Sequence, residues 1–65
     1  MWVVVGMTGT KKTAHAMQKT LEAEGILVKL RNVSAKTKIS GDTYEVLVLA
    51  SEGGEAREIL IEQGY

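Results

Sequence analysis

The 65-residue chain has no cysteine, no phenylalanine and no proline, and only one histidine. Without cysteine there is no disulfide and no thiolate metal site. A cysteine-free composition also fits the cytoplasm. A single histidine without cysteine makes no zinc site. The aromatic residues are Trp2, Tyr44 and Tyr65 alone. That leaves no aromatic platform of the kind on which single-strand readers stack bases. With a pI near 6.6, nucleic acid is not an expected partner. Long apolar runs are missing too. Trp2-Val3-Val4-Val5 is cut short by Gly6 to Lys12, and no basic stretch precedes it. It reads as neither a signal peptide nor a membrane span.

What remains is one small α+β domain covering residues 1–65. A chain of about 60 residues buries only about 60% of its unfolded surface. Lacking a covalent or metal staple, it depends on dense packing or on self-association. The net charge is zero but unevenly spread. Residues 1–40 carry seven of the eight basic groups and two acids; residues 41–65 carry six acids and Arg57. The two halves are therefore near +5 and −5. This asymmetry suits complementary contacts within the chain, or opposite surface patches that meet a partner.

The chain ends two apolar-periodic stretches in the same way, with Leu21-Glu22-Ala23-Glu24-Gly25-Ile26 and Leu60-Ile61-Glu62-Gln63-Gly64-Tyr65. Each stretch follows a β-branched run. Trp2 to Val5 predicts a first strand, and Gly6-Met7-Thr8-Gly9 a turn. Thr10 caps a helix reaching Glu24, with Ala14, Met17 and Leu21 on one face and Lys11, His15 and Lys19 opposite. Gly25 and Gly64 take the left-handed position that stops a helix. Ile26 to Val33 predicts a second strand, Ser34 to Thr43 a loop, and Tyr44 to Ala50 a third strand. Ser51-Glu52-Gly53-Gly54 predicts another loop before a helix from Glu55 to Gln63.

A β-α-β-β-α order with a right-handed crossover predicts a ferredoxin-like plait lacking its fourth strand. The sheet order is 1-3-2, both helices cover one face, and the first strand is an open edge. Open edges pair with other chains. On the uncovered face, Trp2, Val4, Leu27, Leu47 and Leu49 are the candidate interface, and a homodimer is the expected state. The strand-one contribution is either Val3 and Val5 or Trp2 and Val4.

The one segment that suggests a ligand is Gly6-Met7-Thr8-Gly9-Thr10-Lys11-Lys12-Thr13. It has the length of a phosphate-binding loop, but Lys11 stands where that loop needs glycine. Two lysines in a helix's first turn, with no acid beside them, oppose the helix dipole and favour an anion. Gly6, Thr8, Gly9, Thr10, Lys11 and Lys12 are therefore the candidate ligand residues. No base–nucleophile or paired-carboxylate arrangement is visible. The expectation is a non-catalytic chain with no cofactor and no metal.

Three segments carry a family resemblance. Thr20-Leu21-Glu22-Ala23-Glu24-Gly25-Ile26, Tyr44 to Leu49, and Glu55-Ala56-Arg57-Glu58-Ile59-Leu60 resemble the helix–strand junction, third strand and closing helix of a family of short bacterial signal-transducing proteins. That family has no assigned function and a fold related to the PII regulators. The resemblance implies a βαββα fold and a small regulatory or interaction module. The alternative reading is an ACT-like or PII-like sensor taking an anionic small ligand at the Gly6–Lys12 loop.

Overall fold

A computed structural model describes residues 1–33 and 42–65. Most of the loop expected from Ser34, including Lys36, Lys38 and Ile39, lies outside the described residues. Strand β1 spans Trp2–Thr8, helix α1 Lys11–Ala23, strand β2 Val28–Asn32 and strand β3 Tyr44–Leu49. A 3₁₀ turn, Ala50–Glu52, leads into helix α2, Gly53–Glu62. The sheet order is β1-β3-β2, with β3 antiparallel to both neighbours. The architecture is α+β, as the element order implies.

Strand pairing settles which residues share a face, because directly opposed residues project to the same side. Val3, Val48 and Val28 form one row across the sheet, and Gly6, Val46 and Leu30 the next. These rows meet Ala14, Met17 and Leu21 of α1 and Ala56 and Leu60 of α2 in one buried cluster. Leu21, Val46 and Val48 are its largest fully enclosed side chains. Burying each contributes roughly 1.5–3 kcal/mol relative to exposure. The opposite face carries the rows Val4, Leu47, Lys29 and Met7, Glu45, Arg31, with Trp2 opposite Leu49. Trp2 and Val4 are thus the strand-one residues on the open face, while Val3 and Val5 pack on the core.

Both helix stops follow the same hydrogen-bond pattern. Gly25, at φ 84°, donates to Glu22 O at 2.9 Å, and Ile26 donates to Leu21 O at 3.1 Å. Gly64, at φ 89°, donates to Ile61 O at 3.0 Å, and Tyr65 to Leu60 O at 2.9 Å. These pairs satisfy carbonyls that a helix end otherwise leaves open. At the other end of α1, the Thr10 hydroxyl accepts from Thr13 N at 3.2 Å, closing the N-cap.

Three expectations are corrected. Gly6-Met7-Thr8 is not a turn, since β1 continues through Thr8. The pairing slips between Val4 and Gly6, leaving Val5 as a bulge, and Met7 and Thr8 then pair with Glu45 and Tyr44. Gly6 has no positive φ; it is needed because a Cβ there would overlap Met17 Cε. Ser51 to Gly54 is not an open loop. The 3₁₀ turn fills it and α2 starts at Gly53, whose added Cβ would lie 3.2 Å from Val3 Cγ2. Finally, β2 begins at Val28 rather than Ile26, because Ile26 is held by its bond to Leu21 and is buried in the core.

Two substitutions check this packing. Leu21→Ala should lower unfolding stability by about 2–5 kcal/mol, since the enclosed site cannot collapse around the cavity. Gly25→Ala should cost about 1–2 kcal/mol, the strain of a left-handed residue bearing a Cβ. Urea unfolding followed by circular dichroism measures both. A neutral Gly25→Ala would contradict the helix stop.

Candidate functional site

Three surfaces need to be weighed: the segment entering α1, the uncovered sheet face, and the flank of β1. The first was expected to cradle an anion. Its candidate residues are divided between elements. Gly6 and Thr8 belong to a strand and lie on its helix-facing side, and Gly9 and Thr10 connect β1 to α1. Some of the backbone donors here are engaged. Thr10 N donates to Thr8 Oγ1 at 3.4 Å, Thr13 N to Thr10 Oγ1, and Ala14 N to Thr10 O at 3.2 Å. Lys11 and Lys12 are both exposed, with no acid in the first turn. Of the two, only Lys11 lines a shallow groove, together with His15, Leu30, Asn32 and Tyr44.

Tyr44 closes that groove. It is half-buried, and its hydroxyl donates to Asp42 Oδ2 at 3.4 Å. Burial raises its phenol above the ordinary value of 10.0; the Asp42 charge and this hydrogen bond raise it further. The folded state therefore holds the Tyr44 proton more tightly than the unfolded chain does.

On the uncovered sheet face, Trp2, Val4, Leu47 and Leu49 sit together as expected, while Leu27 lies just ahead of β2, 59% exposed. The face is partly closed by its own side chains. Leu47 is only 4% exposed although no helix covers it. Lys29 pairs with Leu47, yet its Nζ reaches 5.6 Å from the Trp2 ring centre, two strands away. The two long side chains therefore meet across the width of the sheet, with the charge over the ring. An exposed contact of this kind contributes about 0.5–1 kcal/mol. Beside it, Arg31 Nε donates to Glu45 Oε1 at 2.7 Å. Apolar residues and charged groups are thus interleaved across this face.

The flank of β1 is different. A cleft of about 370 Å³ runs between Val5–Thr8 of β1, Thr13 and Met17 of α1, Arg57, Leu60 and Ile61 of α2, and the terminal Tyr65. It is apolar except for Thr8, Thr13 and Arg57. Ile61 is 71% exposed and Met7 60%. The strand edge at its floor is reached by a side chain at one point, where Arg57 Nη2 lies 3.5 Å from Val4 O. Of these cleft residues only Val5 was expected as an interface residue, as one of two strand-one alternatives. The available signal was Ile61 itself: a helix whose inner face is Ala56, Ile59 and Leu60 leaves this isoleucine outside.

Among the described residues no group of three or more His, Asp or Glu side chains could hold a metal. No described helix is long and apolar enough to cross a membrane. No protein-family model matches the chain, and no curated protein or solved structure matches it significantly.

The Tyr44 environment yields a pH prediction. Because its folded pKa lies above the unfolded value, the stability it contributes is whole below pH of about 10 and is lost as pH rises through the folded pKa. In a Tyr65→Phe background, absorbance titration should place the Tyr44 midpoint above 10.0, and Asp42→Asn should lower it without removing the burial effect. A midpoint at or below 10.0 would contradict this placement.

Proposed function

We propose that this chain is a small, non-catalytic interaction module of regulatory type that associates with itself. One observation carries the reading: an apolar cleft with exposed Ile61 and Met7 lies directly beside the outer edge of β1, which no strand among the described residues pairs. Exposed apolar side chains next to free strand hydrogen-bonding groups are the surface on which another chain docks. Energetics support it as well. A cysteine-free chain of 65 residues has a small core, and association adds stability by mass action.

Its regulatory type is inferred from the resemblance to the short PII-related signal-transducing proteins, and a cytoplasmic location is proposed from the cysteine-free composition. A sensor of anionic ligands at Gly6–Lys12 is the alternative. Only Lys11 and Lys12 in an acid-free first turn favour it. Self-association is preferred because a continuous apolar surface supports it.

Sedimentation velocity across micromolar to millimolar concentration tests the proposal. The expected outcome is a concentration-dependent passage from monomer to dimer that added phosphate leaves unchanged. A monomer throughout would contradict self-association. A dimer that forms only with phosphate would favour the ligand-sensing alternative.

A further inference from the structure

We propose that the partner in this association is a second copy of the chain, docked by two-fold symmetry through the outer edge of β1 and the adjoining side of α2. The inference rests on the self-association reading above and assigns it one surface and one geometry.

Gly54, Arg57, Glu58 and Ile61 are exposed on α2, flanking Gly53 and Leu60, which approach β1. Their spacing of i, i+3, i+4 and i+7 makes one continuous stripe on a helix. The stripe is self-complementary. Turned antiparallel against itself about a point between Arg57 and Glu58, it sets Arg57 opposite Glu58 of the partner subunit. The same operation sets Ile61 opposite Gly54 of the partner subunit. Charge and shape both fit. Arg57 is the only basic residue in the acidic half of the chain, so the cation stands at the centre of the stripe beside an acid. Ile61 is exposed, and a Cβ added at Gly54 would meet nothing within 4 Å, leaving space for a partner side chain.

The strand edge obeys the same axis. Gly53 lies against Val3, Arg57 reaches Val4, and a Cβ on Gly6 would lie 3.8 Å from Leu60 Cδ1. Helix α2 therefore runs alongside β1 in the same direction. The midpoint of the stripe falls beside Val5, the bulge at the middle of β1. One two-fold axis can thus make the helices antiparallel and the two β1 edges antiparallel together. The result is a six-stranded sheet in the order 2-3-1-1-3-2, and the contact is closed rather than filament-forming. Arg57 covers the Val4 carbonyl in the single chain and moves to the partner's Glu58 on docking, freeing that carbonyl for the ladder.

Charge reversal tests the geometry. Arg57→Glu alone places two acids across the axis, and Glu58→Arg alone places two bases. Each variant should raise the dimer dissociation constant by about tenfold or more, the effect of opposing like charges. Mixed in equal amounts, the two variants restore both opposite-charge pairs, so native mass spectrometry should show the heterodimer in excess over both homodimers. Both positions are exposed, and circular dichroism verifies that the fold is kept. Ile61→Lys, which removes the knob without touching the ion pair, should also weaken the dimer.

A statistical mixture with wild-type affinity would overturn the proposed surface while leaving self-association intact. So would a dimer lost through Trp2→Glu or Leu49→Glu but not through Ile61→Lys, which would place the contact on the open sheet face. A wild-type chain that stays monomeric at millimolar concentration would overturn both the surface and the self-association reading.

Discussion

The structure depends on burying the central strand from one side only. Val46 and Val48 have no solvent exposure, and they lose it to Leu21 and Met17 of α1 and Ala56 and Leu60 of α2. Two short helices can roof a three-stranded sheet, but they cannot also cover its second face or close its borders. The remaining features follow from that shortage of material. On the second face Lys29 of β2 and Trp2 of β1 meet across the sheet. The β2 side carries the Arg31–Glu45 ion pair, an exposed contact of the kind that contributes little on its own. The β1 side keeps an apolar cleft.

Close approach at two glycines shapes that cleft. Gly53 brings the start of α2 onto Val3, and Gly6 leaves room for the end of Met17. A Cβ at Gly53 would crowd Val3 Cγ2, so the helix lies tightly beside β1 at one end. At the other end, Leu60, Ile61 and Tyr65 reach past the strand, and the cleft opens beneath them. The bulge at Val5 adds to this, because it bends the strand where the cleft begins. Packing inside the chain thereby determines which apolar groups remain outside it.

Much of the fold was legible from periodicity and stop signals. The repeated Gly–hydrophobic ending of both helices is a local hydrogen-bond motif, and local motifs can be read from a short stretch of residues. The 1-3-2 order followed from the handedness of the crossover. The errors share a cause. Gly6, Gly53 and Gly54 look like turn residues when only backbone freedom is weighed. Gly6 and Gly53 instead serve close packing against Met17 and Val3, which are distant in sequence. The same blindness to tertiary contact hid the cleft. Strand alternation groups Leu47 with Leu49 but leaves open whether Val3 and Val5 or Trp2 and Val4 join them; the pairing of β1 with β3 decides for Trp2 and Val4. In the candidate ligand segment the Thr8 and Thr10 hydroxyls accept from Thr10 N and Thr13 N, a local arrangement that composition alone does not show.

Amide hydrogen exchange at Val4, measured across a range of protein concentrations, tests the central claim most directly. The Val4 carbonyl points away from β3, where Arg57 reaches it, and in an antiparallel strand the N–H of the same residue points the same way. If the chain's own elements leave this border bare and a second copy fills it, Val4 exchanges fast in dilute solution and slows as concentration rises, while Val46 and Val48 stay protected throughout. Protection of Val4 that is already complete at high dilution would mean that the border is sealed within one chain. Fast exchange at every concentration would mean that nothing pairs with it.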